Sequence, residues 1–344
     1  MGFITIQCPH CGKSAEVDER NFRKTVTCPQ CDQRYTAILA FSAWQQYEGK
    51  VIGGKFYLRS LLGVGSFGGV FRADEVEGDQ VVRTVALKII PPDPLFPRAQ
   101  QIEELRASLR LDHPSIMHGI TAGESDLDGI TLLYLVMELA DETLEDRLRR
   151  GPLPPREARD VAEQIISALV YLHHDARRLV HRDVKPANVL YSNGRWKLSD
   201  FGGAYAMEKV VKSDDQQYGT ERYMSPEGFE NVTSPASDIW SYGVMLAEML
   251  TGKHPFDNDK HIFFAVTQMD PALPDNLPYP FGEIIHGCLI KKRSMRWTAP
   301  QVQRVLLDSS HNVQAFLSAC RWTIDKTLHR QKSPPPKNGV PVRK

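Results

Sequence analysis

No run of apolar residues in this sequence approaches the roughly 18–20 that a membrane-spanning helix needs. A charge of one sign is missing too: 42 Lys and Arg balance 42 Asp and Glu, so nothing global draws the chain to nucleic acid or an anionic membrane surface. The opening MGFITIQCPHC lacks the basic head and apolar run of a secretory signal. Gly2 would suit an N-myristoyl group, but Ile6 stands where that motif needs Ser or Thr. The expected compartment is the cytoplasm. Cysteine is scarce, six in 344 residues, and four of the six fall in two C-x-x-C pairs near the N-terminus. In a reducing compartment that arrangement favours metal over disulfide. Cys288 and Cys320 stand alone and are expected to pack as small apolar residues.

What is present divides into four segments. Residues 1–40 carry the cysteine pairs among short alternating runs, Phe3-Ile4-Thr5-Ile6 and Tyr35-Thr36-Ala37-Ile38-Leu39, which suit strands. Residues 41–53, FSAWQQYEGKVIG, read as a linker. From 54 to 308 strand-like runs give way to long amphipathic helical ones, which implies an α+β unit with a β-rich small lobe followed by a helical large lobe. Helices are expected over 156–174, where Val161, Ile165, Ile166, Leu169 and Leu172 recur at helical spacing, and over the nearly all-apolar 238–251. Residues 309–344 hold a helical-looking stretch at 311–329 and end in SPPPKNGVPVRK, too poor in apolar residues to pack.

The pairs read Cys8-Pro-His-Cys11 and Cys28-Pro-Gln-Cys31. Each C-x-x-C turns the backbone so that both sulfurs can face one ion about 2.3 Å away. Their separation suits two knuckles closing one tetrahedral site, so 1–40 is expected to be a zinc ribbon with Cys8, Cys11, Cys28 and Cys31 as ligands. Four thiolates leave no open position, which makes Zn2+ structural here. His10 is expected to be exposed, since four better ligands exist. Lys13, Arg20, Arg23, Lys24 and Arg34 against Glu16, Asp18, Glu19 and Asp32 leave the ribbon short of a nucleic-acid footprint. A docked protein partner or a regulatory role suits it better.

Gly63-Val64-Gly65-Ser66-Phe67-Gly68 would be weak evidence alone, because G-x-G-x-x-G also opens dinucleotide folds. Here strand-like Val70-Phe71 follows, where a dinucleotide fold needs a helix. A glycine loop between two strands can lie over a triphosphate, its N–H groups unobstructed by Cβ atoms. Lys88, in Val85-Ala86-Leu87-Lys88, follows at hairpin distance and can reach the α- and β-phosphates. Its carboxylate partner is expected on the next helix, at Glu104 in preference to Glu103. In His181-Arg182-Asp183-Val184-Lys185-Pro186-Ala187-Asn188, Asp183 can accept a hydroxyl proton, Lys185 can neutralise a transferring phosphoryl group and Asn188 can ligate Mg2+. Asp200, in Asp200-Phe201-Gly202, supplies a second oxygen for Mg2+.

With these motifs, together with Ser225-Pro226-Glu227 and DIWSYGVMLAEMLTGKHPF, residues 54–308 resemble the eukaryotic-like serine/threonine protein kinases of bacteria. The resemblance implies the two-lobed kinase fold, a transferase that moves the γ-phosphate of ATP to protein Ser or Thr hydroxyls, and a nucleotide site that includes Val70 and Ala86. It implies Met137 as gatekeeper, with Glu138-Leu139-Ala140 presenting backbone groups to adenine. It also implies that Thr220 bonds toward Asp183 and Lys185, that Glu227 pairs with Arg296, and that Asp238 supports the catalytic loop. Arg182 resembles the arginine that binds an activation-segment phosphate, for which Ser213 is a candidate. Two other readings stand beside it. An ATP-binding scaffold without turnover should lack Lys88, Asp183 or Asp200, and lacks none. A nucleic-acid- or partner-binding ribbon regulated by its kinase would shift in a salt-sensitive way with random DNA or RNA.

Overall fold

Two β-hairpins open the chain: β1 (Phe3–Gln7) pairs antiparallel with β2 (Ser14–Asp18), and β3 (Thr25–Thr27) with β4 (Arg34–Thr36). The computed structural model describes residues 3–8, 11, 13–18, 25–32, 34–36, 41–65, 68–92, 97–127, 129–201, 205–206, 221–256 and 262–308. The expected 311–329 helix, the tail, His10 and Cys320 lie outside the described residues. Each hairpin turns at one C-x-x-C pair. Fully buried Ile6 packs with the four cysteines, Ala15, Val17 and Val26, a core too small to hold a fold unaided.

Helix α1 (Phe41–Gln45) precedes a six-stranded antiparallel sheet ordered β5-β6-β7-β8-β10-β9. The strands are β5 (Val51–Ile52), β6 (Phe56–Gly65), β7 (Gly68–Glu77), β8 (Gln80–Ile90) and, after helix α2 (Arg98–Ser108), β9 (Gly119–Leu127) and β10 (Ile130–Met137). In β8, every residue from Val85 to Ile90 is buried, which requires cover on both faces of the sheet. On one face Ile90 and Leu133 take Leu105 of α2. On the other, Val85, Leu87 and Ile89 gather with Leu58, Phe71, Val136 and Trp44. The segment read as a linker, 41–53, is therefore folded structure. Trp44 is 1% exposed, Gly49 N donates to Leu58 O, and Leu58 N donates to Lys50 O. An uncovered sheet face of Leu, Phe and Ile would leave several side chains in water at about 1.5–3 kcal/mol each.

The large lobe runs through β11 (Glu142–Thr143), α3 (Leu144–Leu148), α4 (Pro155–His173), β12 (Leu179–Val180), β13 (Val189–Ser192), β14 (Arg195–Leu198), β15 (Tyr205–Ala206), α5 (Pro235–Thr251), α6 (Ile262–Gln268), α7 (Phe281–Cys288) and α8 (Ala299–Leu307). Helix α4 buries Val161, Ile165, Ile166, Leu169 and Leu172 on the face its spacing predicts. Helix α5 starts earlier than its apolar run. Pro235 suits the first helical position, and Ser237 Oγ accepts the Ser234 N–H at 3.2 Å. Cys288 is fully buried against Gly243 of α5, and burial pushes its thiol well up, as befits a packing residue. Among the described residues no helix is long and apolar enough to cross a membrane.

One ion pair ties the lobe together. Arg296 Nη1 and Nη2 donate to Glu227 at 2.6 and 2.9 Å, with the Arg296 side chain wholly buried. The guanidinium also reaches the carbonyls of Ala236, Ile290 and Lys291 and lies over Trp240. Glu227→Ala leaves that charge buried and unpaired, so it should cost about 3–5 kcal/mol. At about 2–4 °C per kcal/mol for a domain of this size, Tm should fall by on the order of 10 °C in a thermal melt. A fall too small to resolve would mean the pair is not what holds these segments. Burial alone would push the Glu227 carboxyl up, but Arg296 holds it below the ordinary range. The pair's stabilisation is therefore fully present above the usual carboxylate pKa and lost as pH falls through the depressed one.

Candidate active site and candidate metal centre

The run from His181 to Asn188 lies between β12 and β13, and buried Asp238 of α5 holds it from beneath. The Asp238 carboxylate accepts the backbone N–H groups of His181 and Arg182, each at 2.8 Å, and meets His173 Nε2 at 2.8 Å. Arg182 has φ 73°, an unusual conformation for a side-chain-bearing residue, costing about 1–3 kcal/mol. Two hydrogen bonds to one carboxylate keep it there. Burial alone would push Asp238 up, but His173 and His181 hold it below the usual range. The His181 ring bonds Ser199 O at 2.9 Å and meets the Phe201 ring edge-on at 5.0 Å.

Above this floor the polar groups converge. Asp183 Oδ2 accepts from Lys185 Nζ at 2.8 Å and from Asn188 Nδ2 at 2.9 Å. Asn188 Nδ2 also donates to Asp183 O, while Asn188 O accepts both the N–H and the Oγ–H of Ser199, at 2.9 and 3.0 Å. Ser199 precedes Asp200, whose Oδ1 accepts from Lys88 Nζ at 2.6 Å. Burial works to raise the Asp200 pKa, yet Lys88, with Lys185 and His181, holds it below the ordinary carboxylate value. Lys88, Asp183, Lys185, Asn188 and Asp200 thus form one bonded chain across the two lobes.

Glu104 is not brought to Lys88. Helix α2 turns Leu105 inward onto Ile90 and Leu133, and the neighbouring residue on a helix projects about 100° away. Glu104 is exposed and accepts from Gln100 Nε2 at 3.1 Å, while Glu103 pairs with Arg106 at 2.9 Å. The expected Lys88–Glu104 pair is corrected to Lys88–Asp200 in this structure.

Gly63, Val64 and Gly65 close β6 and pair with Val70, Gly69 and Gly68 of β7. Gly68, at φ 147°, must be glycine, since a Cβ would lie 1.8 Å from Ile89 O. Val70 is paired with Lys88, and Ala86 lies two residues along β8, so all three share one sheet face. Ser66, Gly202, Ser213, Tyr218 and Thr220 lie outside the described residues. Met137 ends β10, and the N–H of Glu138 donates to His118 O at 3.0 Å.

The Glu138 side chain has partners that motif reading missed. It accepts from Lys197 Nζ at 2.7 Å to both oxygens, from Ser192 Oγ at 2.8 Å, from Asn193 Nδ2 at 2.9 Å and from His118 N at 2.7 Å. Burial would raise its pKa, but these donors hold the carboxyl below the usual range. The available signal was a lysine between Trp196 and Leu198 in an apolar strand, a buried ammonium that needs a carboxylate.

At the candidate metal centre, Cys8 and Cys31 sulfurs lie 3.7 Å apart, as do those of Cys11 and Cys28, and all four lie within 4.8 Å of one another. These separations are too long for disulfides. They match the edge of about 3.8 Å expected for a tetrahedron of sulfurs about 2.3 Å from a central ion. Burial pushes the Cys28 thiol up, but N–H groups of Gln30 and Cys31 and the neighbouring sulfurs bring it down to about 7. A soft, thiolate-forming donor set of this shape fits Zn2+.

Residues 56–306 match the protein kinase domain family, which leaves 1–55 outside the match. Serine/threonine-protein kinase PknA of Mycobacterium tuberculosis is 37% identical over 266 residues, 72% of this chain and 59% of the relative. Serine/threonine-protein kinase PrkC of Bacillus subtilis is 34% identical over 235 residues, 66% of this chain and 35% of the relative. Mitogen-activated protein kinase kinase 9 of Arabidopsis thaliana is 33% identical over 261 residues, 71% of this chain and 81% of the relative. The chain thus spans little more than half the length of the mycobacterial protein and about a third of the bacillar one.

Proposed function

The chain belongs to the protein kinase family, and from that premise we propose that it transfers the γ-phosphate of ATP to Ser or Thr hydroxyls of proteins. The observation that carries this reading is the bonded chain from Lys88 through Asp200, Ser199 and Asn188 to Asp183 and Lys185. In-line phosphoryl transfer asks little covalent chemistry of a protein; positioning and charge neutralisation do most of the work. The Asp183 carboxylate accepts the proton of the attacking hydroxyl. Lys185, already 2.8 Å from it, neutralises the phosphoryl group in flight. Lys88 binds the α- and β-phosphates beneath the Gly63–Gly68 turn, and Val70 and Ala86 line the adenine side. The Glu138 carbonyl and the Ala140 backbone face the adenine edge, with Met137 as gatekeeper; the Glu138 N–H is already engaged by His118. Asp200 and the Asn188 amide oxygen, opposite the nitrogen that bonds Asp183, are oxygen donors suited to Mg2+, which when bound offsets phosphate charge. Glu104 joins Lys88 only if α2 rotates inward.

The N-terminal hairpins form a zinc ribbon held by Cys8, Cys11, Cys28 and Cys31, and serve as a docking or regulatory module for a protein partner. Incubation with labelled ATP, Mg2+ and a generic basic protein should put label on Ser or Thr, and Asp200→Ala should abolish it. ATP binding without transfer would overturn the transferase reading in favour of a scaffold.

A further inference from the structure

Gly69 has no conformational reason to be glycine: unlike Gly68, it does not lie in the left-handed region. What its missing side chain provides is space. A Cβ there would lie 2.7 Å from Trp44 Cε3 and 2.8 Å from Cδ2, so the indole rests on bare backbone. Gly69 pairs with Val64 across β6 and β7, next to the Gly65–Gly68 pair that ends the two strands, and with Ile89 across β7 and β8. Val70, the next residue, shares the Lys88 face. Because side chains alternate across a strand, Trp44 presses on the back of the hairpin whose front carries the nucleotide candidates.

The support behind the indole is itself anchored. Tyr47 packs on Trp44 at 5.8 Å between ring centroids, Glu48 accepts the Leu61 N–H at 2.8 Å, and residues 49–50 bond to Leu58 of β6. The Trp44 N–H is buried with no hydrogen-bond partner among the described residues. A phenylalanine or leucine would cover the sheet without that penalty, so plain core filling does not account for an indole here. The size of its ring, matched to the notch at Gly69, does.

We propose that Trp44 is a positioning residue for the phosphate site: seated on Gly69, its indole fixes the height over the nucleotide of the strand ends Gly63–Gly65 and Gly68–Val70. This deepens the phosphotransfer reading of the same site and rests on it. It also places a control on ATP affinity in the segment that joins the four-cysteine hairpins to the kinase domain, ahead of the residues that match the kinase family.

The test uses the full chain, with Trp44→Phe, Gly69→Ala and the double variant Trp44→Leu/Gly69→Ala. ATP·Mg2+ affinity is measured by calorimetry, beside kcat, the KM for ATP, the KM for a basic protein substrate, and Tm. Gly69→Ala should weaken ATP about tenfold, a loss of about 1.4 kcal/mol, with kcat and the protein KM little changed. The double variant, which makes room for the new methyl group, should restore most of that loss. Trp44→Phe, which removes the unpartnered N–H, should keep Tm and still weaken ATP severalfold. ATP affinity unchanged in Trp44→Phe and Gly69→Ala, whatever happens to Tm, would overturn the proposal and leave Trp44 a core plug. A wild-type chain that binds ATP without turnover would sink the transferase reading alone, because affinity still reports on Trp44.

Discussion

Asp183→Asn should lower kcat by about 10²–10⁴-fold, the span that a positioned general base supplies, while the protein remains folded. The substitution keeps the shape of the side chain and removes its ability to take a proton. Asp183 Oδ2 receives both Lys185 Nζ and Asn188 Nδ2, and an asparagine amide oxygen in its place keeps two lone pairs for those donors but carries no negative charge. The hold on Lys185 should therefore weaken from an ion pair to a single hydrogen bond. Lys88→Met should be comparably inactive by a different route. With the ammonium gone, the Asp200 carboxyl keeps the burial that raises its pKa and loses the main charge that lowers it. The acid limb of Mg2+-dependent nucleotide binding should then move to higher pH, since the carboxylate protonates earlier as pH falls. Single-turnover assays with a thermal melt on each variant separate lost chemistry from lost fold. Near-normal turnover in either variant would remove that residue from the assignment.

The candidate site was legible because its residues sit in short runs. Asp183, Lys185 and Asn188 fall within six residues, and the proton acceptor, the cation and the amide oxygen can be read from type and spacing. The apolar stripe of α4 was legible for the same local reason. What escaped was long-range. Lys197 and Glu138 are 59 positions apart, and a lysine in an apolar strand says that a carboxylate is needed without saying which one. Trp44 lies in a stretch too short to show a sustained period, so the segment reads as a linker; the sheet face it covers explains its burial. For Glu104, sequence position picks a residue on a helix but not which way the helix is rolled. That roll is set by Leu105 against Ile90 and Leu133.

Removing the metal from the cysteine site should unfold the N-terminal hairpins and leave the kinase domain standing. Among the described residues the hairpins fully bury only Ile6, Cys8 and Cys28, and segments this small seldom fold on apolar burial alone. Zinc held by four thiolates supplies roughly 10–16 kcal/mol at neutral pH, more than the whole stability of most domains. Among the described residues the kinase domain has cores of its own, one around α4 and α5 and one on each face of the six-stranded sheet, and none includes a cysteine ligand. Elemental analysis should find one zinc per chain. A strong chelator, or Cys28→Ser, should then abolish amide protection in β1–β4 while the main thermal transition persists. Protection that survives chelation would mean that the four sulfurs hold no metal. A main transition that collapses with the metal would mean that the kinase domain depends on the hairpins for its own stability.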